Sequence, residues 1–154
     1  MKCLILSRLY RVREGCQIRT MTADWISAAT EVRKQAYAPY SRFAVGAALV
    51  ASDGRVFTGC NVENLSFGLS MCAERVAIGK AVSEGVNNFA GLAVVADTRE
   101  AISPCGACRQ VLAEFEPKLL IVLATLDGKV EEWTLDKLLP RSSTGILDRP
   151  QGST

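Results

Sequence analysis

The sequence predicts a three-layer α/β/α domain built on a mixed five-stranded sheet. Helix-like and strand-like patterns alternate along the 154 residues, as they do in α/β folds. The run Phe89–Ala96 is almost wholly apolar, which is typical of a central strand covered on both faces. Two Asp-Gly pairs, Asp53-Gly54 and Asp127-Gly128, separate strand-like runs and predict hairpins. A sheet with hairpins and a doubly covered central strand needs a helical layer on each side.

The first predicted helix covers one face of the sheet. Thr22 can cap its start, and Pro39 ends it after about Tyr37. Apolar positions recur along it with the helical period of 3.6 residues. This face consists of Trp25, Ile26, Ala29, Val32, Arg33 and Ala36.

The remaining elements follow from apolar runs and from the residues that end them. Gly85 ends one helix, and Pro104 and Pro117 bracket another. The predicted helices are Met71–Glu84 and Cys105–Phe115. The predicted strands are Ala44–Ala51, Val56–Val62, Phe89–Ala96, Leu119–Ala124 and Val130–Trp133.

Composition indicates a globular protein of ordinary size. The chain is 49% hydrophobic, and no apolar run approaches the roughly 20 residues needed to span a bilayer. We therefore expect a soluble protein. The net charge is +2, but residues 1–20 carry five basic side chains and one acidic one, so the rest of the chain is about −2. Such a body is not that of a nucleic-acid-binding protein.

This charge distribution also predicts the domain boundaries. Residues 1–20 are expected to form a basic, poorly ordered extension, since Met21 stands just before the first helix. Residues 21–140 would form the main folded domain, and residues 141–154 a polar C-terminal tail.

The chain contains no histidine, which restricts its possible chemistry. Histidine is the usual general base and the commonest metal ligand, so catalytic triads and zinc motifs that need it are excluded. The chain does contain six cysteines, clustered rather than spread as in a secreted disulfide framework. Metal binding in a reducing cytoplasm is the better interpretation.

Two short motifs carry the predicted metal site. Cys72-Ala73-Glu74 and Pro104-Cys105-Gly106-Ala107-Cys108 each stand where a loop enters a helix, and backbone N–H groups there favour thiolates. Soft thiolates select zinc, and three of them leave a fourth position open. Water at such a position has a pKa of about 7, which supplies hydroxide at neutral pH. Glu74 can then act as the proton shuttle.

Two arginines can balance the charge of three thiolates. Arg75 and Arg109 each follow a motif residue, and either can donate hydrogen bonds to sulfur. Taken alone, Cys105-Gly106-Ala107-Cys108 also fits a structural zinc knuckle or a redox-active pair. Cys60 can complete a four-cysteine structural site, although its strand-like context favours a buried free thiol.

Four blocks of sequence resemble the small homotetrameric zinc-dependent cytidine deaminases, from about Thr22 to Pro140. The chemistry of that family is a zinc site with a non-ligand glutamate. The blocks are Ala38-Pro39-Tyr40-Ser41-Arg42-Phe43-Ala44-Val45-Gly46-Ala47-Ala48, Gly59-Cys60-Asn61-Val62-Glu63-Asn64, Cys72-Ala73-Glu74-Arg75 and Pro104-Cys105-Gly106-Ala107-Cys108-Arg109-Gln110. The resemblance implies a cytidine deaminase-like fold, a bound Zn²⁺, a homotetramer and a cytoplasmic role in pyrimidine salvage.

The same resemblance implies a reaction and a set of substrate contacts. The reaction is hydrolytic deamination of cytidine and 2′-deoxycytidine to uridine and 2′-deoxyuridine, with release of ammonia. Phe43 would pack on the pyrimidine, and Asn61 and Glu63 would bind ribose hydroxyls. The Ala73 N–H with Glu74 would read the base, and the Ser103 carbonyl would accept from the exocyclic amine.

The chain departs from the family pattern at two places. Arg141, Ser142 and Ser143 stand where the family supplies an aromatic residue to a neighbouring subunit, and Phe67 stands where tyrosine is common. The altered tail suggests an alternative substrate, another aminopyrimidine nucleoside such as a blasticidin-like antibiotic. A non-catalytic zinc-stabilised binding module is the alternative from another class, and single-stranded nucleic acid ranks low as a substrate because the body has no basic groove signature.

Overall fold

The computed structural model describes residues 16–142, with side chains from residue 21 onward. Helix α1 spans Cys16–Arg33, and strands β1 and β2 span Val45–Ala51 and Val56–Cys60. A short 3₁₀ helix, Phe67–Leu69, precedes helix α2, Ala73–Ser83. The remaining elements are β3 at Phe89–Ala96, α3 at Gly106–Phe115, β4 at Leu120–Thr125, β5 at Val130–Thr134 and α4 at Leu135–Leu138.

The five strands form one mixed sheet in the order β2-β1-β3-β4-β5. Both predicted hairpins are present, since β1 pairs antiparallel with β2 and β4 pairs antiparallel with β5. The parallel pair, β3 and β4, is joined through α3, as parallel neighbours require a crossover. The predicted mixed five-stranded sheet is confirmed.

Alternate residues of the strands pack against helices on opposite faces, which makes the predicted three layers. One core contains Trp25 and Ala29 of α1 with Ala48, Ala93 and Val122 of the sheet. The other core lies between the sheet and α2, α3 and α4. Its buried side chains include Leu49, Leu92, Ile121, Ala77, Leu112 and Leu135. The apolar β3 is buried on both faces, as its sequence predicts.

The first helix differs from its predicted limits at both ends, and the prediction that Thr22 caps it is wrong. The helix already includes Cys16, the first described residue, and Thr22 lies buried within it. It ends at Arg33 rather than Tyr37, because the Tyr37 backbone pairs instead with the segment after β2. The Tyr37 N–H donates to the Asn61 carbonyl at 3.0 Å, and the Glu63 N–H donates to the Tyr37 carbonyl at 2.8 Å.

The predicted terminal segments lie mostly outside the described residues. Of the basic extension, residues 1–15 lie outside, and residues 16–20 belong to α1. Of the polar tail, only Arg141 and Ser142 are described. None of the helices within residues 16–142 has the length and apolar character needed to cross a bilayer.

Candidate active site

The three predicted metal ligands come from two helix starts. Cys72 is the residue immediately before α2 and Cys105 the residue immediately before α3, both with extended backbone. Cys108 lies in the first turn of α3 and is fully buried. Both helices pack on the same face of the sheet, so their N-terminal ends approach each other. N–H groups at these ends stabilise thiolates at the meeting point.

The sulfur positions fit a zinc ion. The Sγ atoms of Cys72, Cys105 and Cys108 all lie within 4.8 Å of one another, and those of Cys72 and Cys105 are 3.9 Å apart. Zinc–sulfur bonds of about 2.3 Å in a tetrahedron place sulfurs about 3.8 Å apart. Within residues 16–142, neither Cys60 nor Glu74 belongs to this group. The group therefore has three protein ligands, the number found at catalytic rather than structural zinc sites.

The charge around Cys72 favours its thiolate. A hydrogen bond from the Cys108 thiol and contact with Arg75 lower the pKa of Cys72 to about 5. The hydrogen bond to Cys72, together with burial, raises the pKa of Cys108. The Arg75 Nη2 donates to Cys72 Sγ at 3.7 Å and to the Ser70 carbonyl at 3.0 Å. Arg75 thus lies where the sequence predicted a cation that offsets thiolate charge.

Glu74 is a buried carboxyl group beside the cysteines. It lies in the first turn of α2 and is 4% exposed. Burial raises the pKa of Glu74, because the charged form loses hydration there. A carboxyl group whose pKa is raised toward neutrality can both accept and return a proton, as the predicted shuttle requires.

Arg109 contacts oxygen atoms rather than the sulfurs proposed for it from sequence. Its Nε donates to the Pro104 carbonyl at 2.7 Å, its Nη1 to the Leu138 carbonyl at 3.0 Å, and its Nη2 to the Ser103 Oγ at 2.6 Å. The guanidinium thus joins the loop before α3 to the end of α4. Its hydrogen bond to the Pro104 carbonyl holds the backbone that leads into the ligand Cys105.

A cavity of about 360 Å³ opens beside Cys72. Two of the predicted substrate contacts, Asn61 and Glu63, line it. Phe43 is outside the lining, and the residue is 39% exposed. The full lining consists of Tyr40, Ser41, Asn61, Glu63, Phe67, Ser70, Met71 and Cys72. The other two predicted contacts are Ala73, which is fully buried, and Ser103, which is exposed.

Asn61 and Glu63 also hold the loop before β1. The Asn61 Oδ1 accepts from the Val45 N–H at 2.8 Å, and its Nδ2 donates to the Phe43 carbonyl at 2.9 Å. The Glu63 carboxylate accepts from the Tyr40 N–H at 3.0 Å and from the Ser41 N–H and hydroxyl. Sequence reasoning assigned no role to Ser41, although it stands within one of the four motif blocks. The available signal was the spacing of two residues between Ser41 and Phe43, because a serine hydroxyl can accept from the backbone N–H two positions later.

Comparisons with known proteins agree with this geometry. A family model described as the cytidine and deoxycytidylate deaminase zinc-binding region matches residues 19–124. A cytidine deaminase of Sporosarcina psychrophila is 54% identical over 116 residues, covering 75% of this chain and 85% of the relative. One from Halalkalibacterium halodurans is 51% identical over 120 residues, covering 77% and 91%.

A solved structure supports the same assignment. The crystal structure of cytidine deaminase from Burkholderia pseudomallei superposes with a TM-score of 0.75 at 51% identity, covering 77% of this chain and 95% of that one. A model match over residues 19–124, relatives above 50% identity and a zinc-sized group of three sulfurs all point to one family. The chain therefore belongs to the zinc-binding cytidine and deoxycytidylate deaminase family.

Proposed function

We propose that this chain catalyses the hydrolytic deamination of cytidine and 2′-deoxycytidine to uridine and 2′-deoxyuridine, with release of ammonia. One observation carries the proposal: three thiolate ligands and the buried Glu74 lie together at the start of α2 and α3, with a cavity of about 360 Å³ beside them. Relatives at 51–54% identity are named cytidine deaminases.

Cys72, Cys105 and Cys108 would hold the zinc ion, which, when bound, makes water a nucleophile at neutral pH. Glu74 would take a proton from the attacking water and deliver it to the ring nitrogen N3. As the C4–N bond breaks, the same carboxyl group would take the second proton from the hydroxyl now on C4 and pass it to the departing amine. C4 then carries the carbonyl of uridine, and the amine leaves as ammonia. Proton transfer of this kind contributes about 10² to 10⁴ in rate.

The predicted substrate contacts would orient the nucleoside for this chemistry. The Phe43 ring offers a face on which a pyrimidine can stack. Asn61 and Glu63 line the cavity and would bind sugar hydroxyls. The Ala73 N–H and the Ser103 carbonyl would contact the base and its exocyclic amine.

We also propose that the chain forms the homotetramer that the family resemblance implies, and exposed apolar residues near the site support association of copies. Leu65, Phe67 and Leu69 are each more than two-thirds exposed, next to the cavity. Association with further copies would remove this apolar surface from water. We further propose a role in pyrimidine salvage in the cytoplasm, since free thiol ligands need a reducing compartment. Light scattering on the purified protein would test the tetramer.

The test of activity combines turnover with zinc content. Zinc-loaded protein should convert cytidine to uridine, followed by ultraviolet absorbance. The Glu74→Gln variant should keep one zinc per chain and lose about 10² to 10⁴ in kcat. The matched control is Glu84→Gln, which alters an exposed carboxylate at the end of the same helix. Zinc-loaded protein that leaves cytidine unchanged would contradict the proposal, and a panel of other aminopyrimidine nucleosides would then identify the substrate.

A further inference from the structure

Ser41 makes three hydrogen bonds to cavity residues and the neighbouring backbone, although it is exposed. Its hydroxyl donates to one oxygen of the Glu63 carboxylate, and its own N–H donates to the other oxygen at 3.2 Å. The same hydroxyl oxygen accepts from the Phe43 N–H at 3.0 Å. Ser41 and Glu63 both line the cavity. The Ser41 hydroxyl therefore connects Glu63, proposed to bind the sugar, with Phe43, proposed to stack on the base.

The backbone around Ser41 depends on these contacts. Arg42 stands between Ser41 and Phe43, and its φ of 56° lies in the left-handed region, which is unfavourable for residues other than glycine. Both backbone polar groups of Phe43 are hydrogen-bonded. Its N–H donates to the Ser41 hydroxyl, and its carbonyl accepts from the Asn61 side chain. Without the Ser41 hydroxyl, the Phe43 N–H would lose the partner that holds the turn closed.

The Glu63 carboxylate is oriented by the same group. It accepts three hydrogen bonds from the loop, from the Tyr40 N–H, the Ser41 N–H and the Ser41 hydroxyl. The Ser41 side-chain hydrogen bond is the main cause that lowers the pKa of Glu63, so the group is held as a carboxylate. A carboxylate has about four acceptor sites, and three are used here. The remaining site can face a ligand hydroxyl in the cavity.

We propose that Ser41 is a positioning residue for nucleoside binding, whose hydroxyl holds the Glu63 carboxylate and the Phe43 backbone in one fixed arrangement. The inference rests on the proposed function, because it concerns how the nucleoside is bound. Ser41 acts through Glu63 and Phe43 and has no role in the proton transfers at Glu74. Loss of its hydroxyl should therefore affect substrate binding more than the rate of the bound complex.

The kinetic experiment compares three variants of the zinc-loaded enzyme. Ser41→Ala should raise KM for cytidine about tenfold, because a lost hydrogen bond leaves Glu63 and the Phe43 backbone less ordered. The kcat should stay within about twofold of the parent value. Ser41→Thr keeps a hydroxyl and should restore most of the affinity. Ser83→Ala is the matched control, since it removes another exposed serine hydroxyl, one bonded to the Lys80 carbonyl at 2.8 Å at the end of α2.

A double-mutant cycle tests the connection to Glu63. If Ser41 acts through Glu63, Ser41→Ala should raise KM much less in a Glu63→Ala background than in the parent. Additive effects of the two substitutions would overturn the proposal. So would a fall in kcat at unchanged KM, or a Ser41→Ala enzyme that is indistinguishable from the parent.

Amide hydrogen exchange provides a readout that needs no activity. In the free protein, Ser41→Ala should speed exchange at the Phe43 N–H about tenfold and leave the central strand β3 unchanged. Unchanged exchange at Phe43 would overturn the proposal even in an active enzyme. Failure of the proposed function is seen separately, as a parent protein that binds zinc and does not deaminate cytidine.

Discussion

Cys72 and Cys105 stand 33 positions apart in the chain, and their Sγ atoms lie 3.9 Å apart. Each is the residue before a helix, so two helix N-termini meet at this pair. The distance is that of two corners of a zinc–sulfur tetrahedron, about 3.8 Å. Without a metal, three thiolates this close would repel one another, so Cys108 keeps its proton beside the Cys72 thiolate, and a bound zinc ion would remove that repulsion. Metal binding and local folding are therefore coupled at this site.

Replacement of a ligand should release zinc and destabilise the fold. Cys105→Ser should lose its zinc to a chelator that leaves the parent loaded, because one of three thiolates is removed. Its midpoint of thermal unfolding should fall as well. Cys60→Ser is the control, since Cys60 is outside the sulfur group. Equal zinc loss from both variants would show that Cys60 is a fourth ligand.

Arg75 should strengthen zinc binding without being a zinc ligand itself. Its contacts with Cys72 Sγ and the Ser70 carbonyl orient a ligand and offset its charge. Arg75→Gln should weaken zinc binding about 10- to 100-fold, as is typical when a partner of a metal ligand is removed. Competition with a chromogenic chelator measures this. Arg55→Gln, an exposed arginine paired with Asp53, should bind zinc like the parent.

Arg109 should contribute to stability more than to zinc charge balance. It joins the Ser103–Pro104 loop to the Leu138 carbonyl through three hydrogen bonds. Arg109→Met should lower the free energy of unfolding by roughly 1.5–3 kcal/mol, the value of a hydrogen bond to a charged group. Urea unfolding of the zinc-saturated protein measures the loss. An Arg109→Met protein as stable as an Arg55→Met protein would contradict this role.

Replacement by alanine of two glycines in the α2–β2 unit should change the free energy of unfolding in opposite directions. A Cβ at Gly59 would lie 2.4 Å from the Ala73 carbonyl oxygen and 2.5 Å from the Ala77 nitrogen, so Gly59→Ala must push α2 away from β2. We expect a loss of about 1–3 kcal/mol and weaker zinc binding, because Cys72 directly precedes α2.

Gly79 is the matched control for Gly59. It lies inside α2, and a Cβ there would have nothing within 4 Å. Gly79→Ala should raise the free energy of unfolding by about 0.5–1 kcal/mol through better helix propensity. Calorimetry and zinc titration of both variants test the pair. Equal destabilisation by both substitutions would show that the α2–β2 contact is not the cause.

Much of the fold was predictable from local patterns. The limits of β3 match the predicted Phe89–Ala96, because a doubly buried strand must be apolar at nearly every position. Both Asp-Gly hairpins were predictable, since only a few residue types accept the positive φ of Gly54 and Gly128. The end of α1 was not, because it depends on pairing between Tyr37 and the segment at Asn61 and Glu63, far along the chain.

The candidate site likewise has features that the sequence predicts and features that only the tertiary structure shows. Cysteine spacing, the absence of histidine and the position of Glu74 indicate a three-thiolate zinc site with a proton shuttle, since these depend on residue type and on helix starts. The partners of Arg109 and the contacts of Ser41 required the tertiary structure. A guanidinium or a hydroxyl can bond to any nearby acceptor, and only long-range folding decides which carbonyl or carboxylate comes within reach.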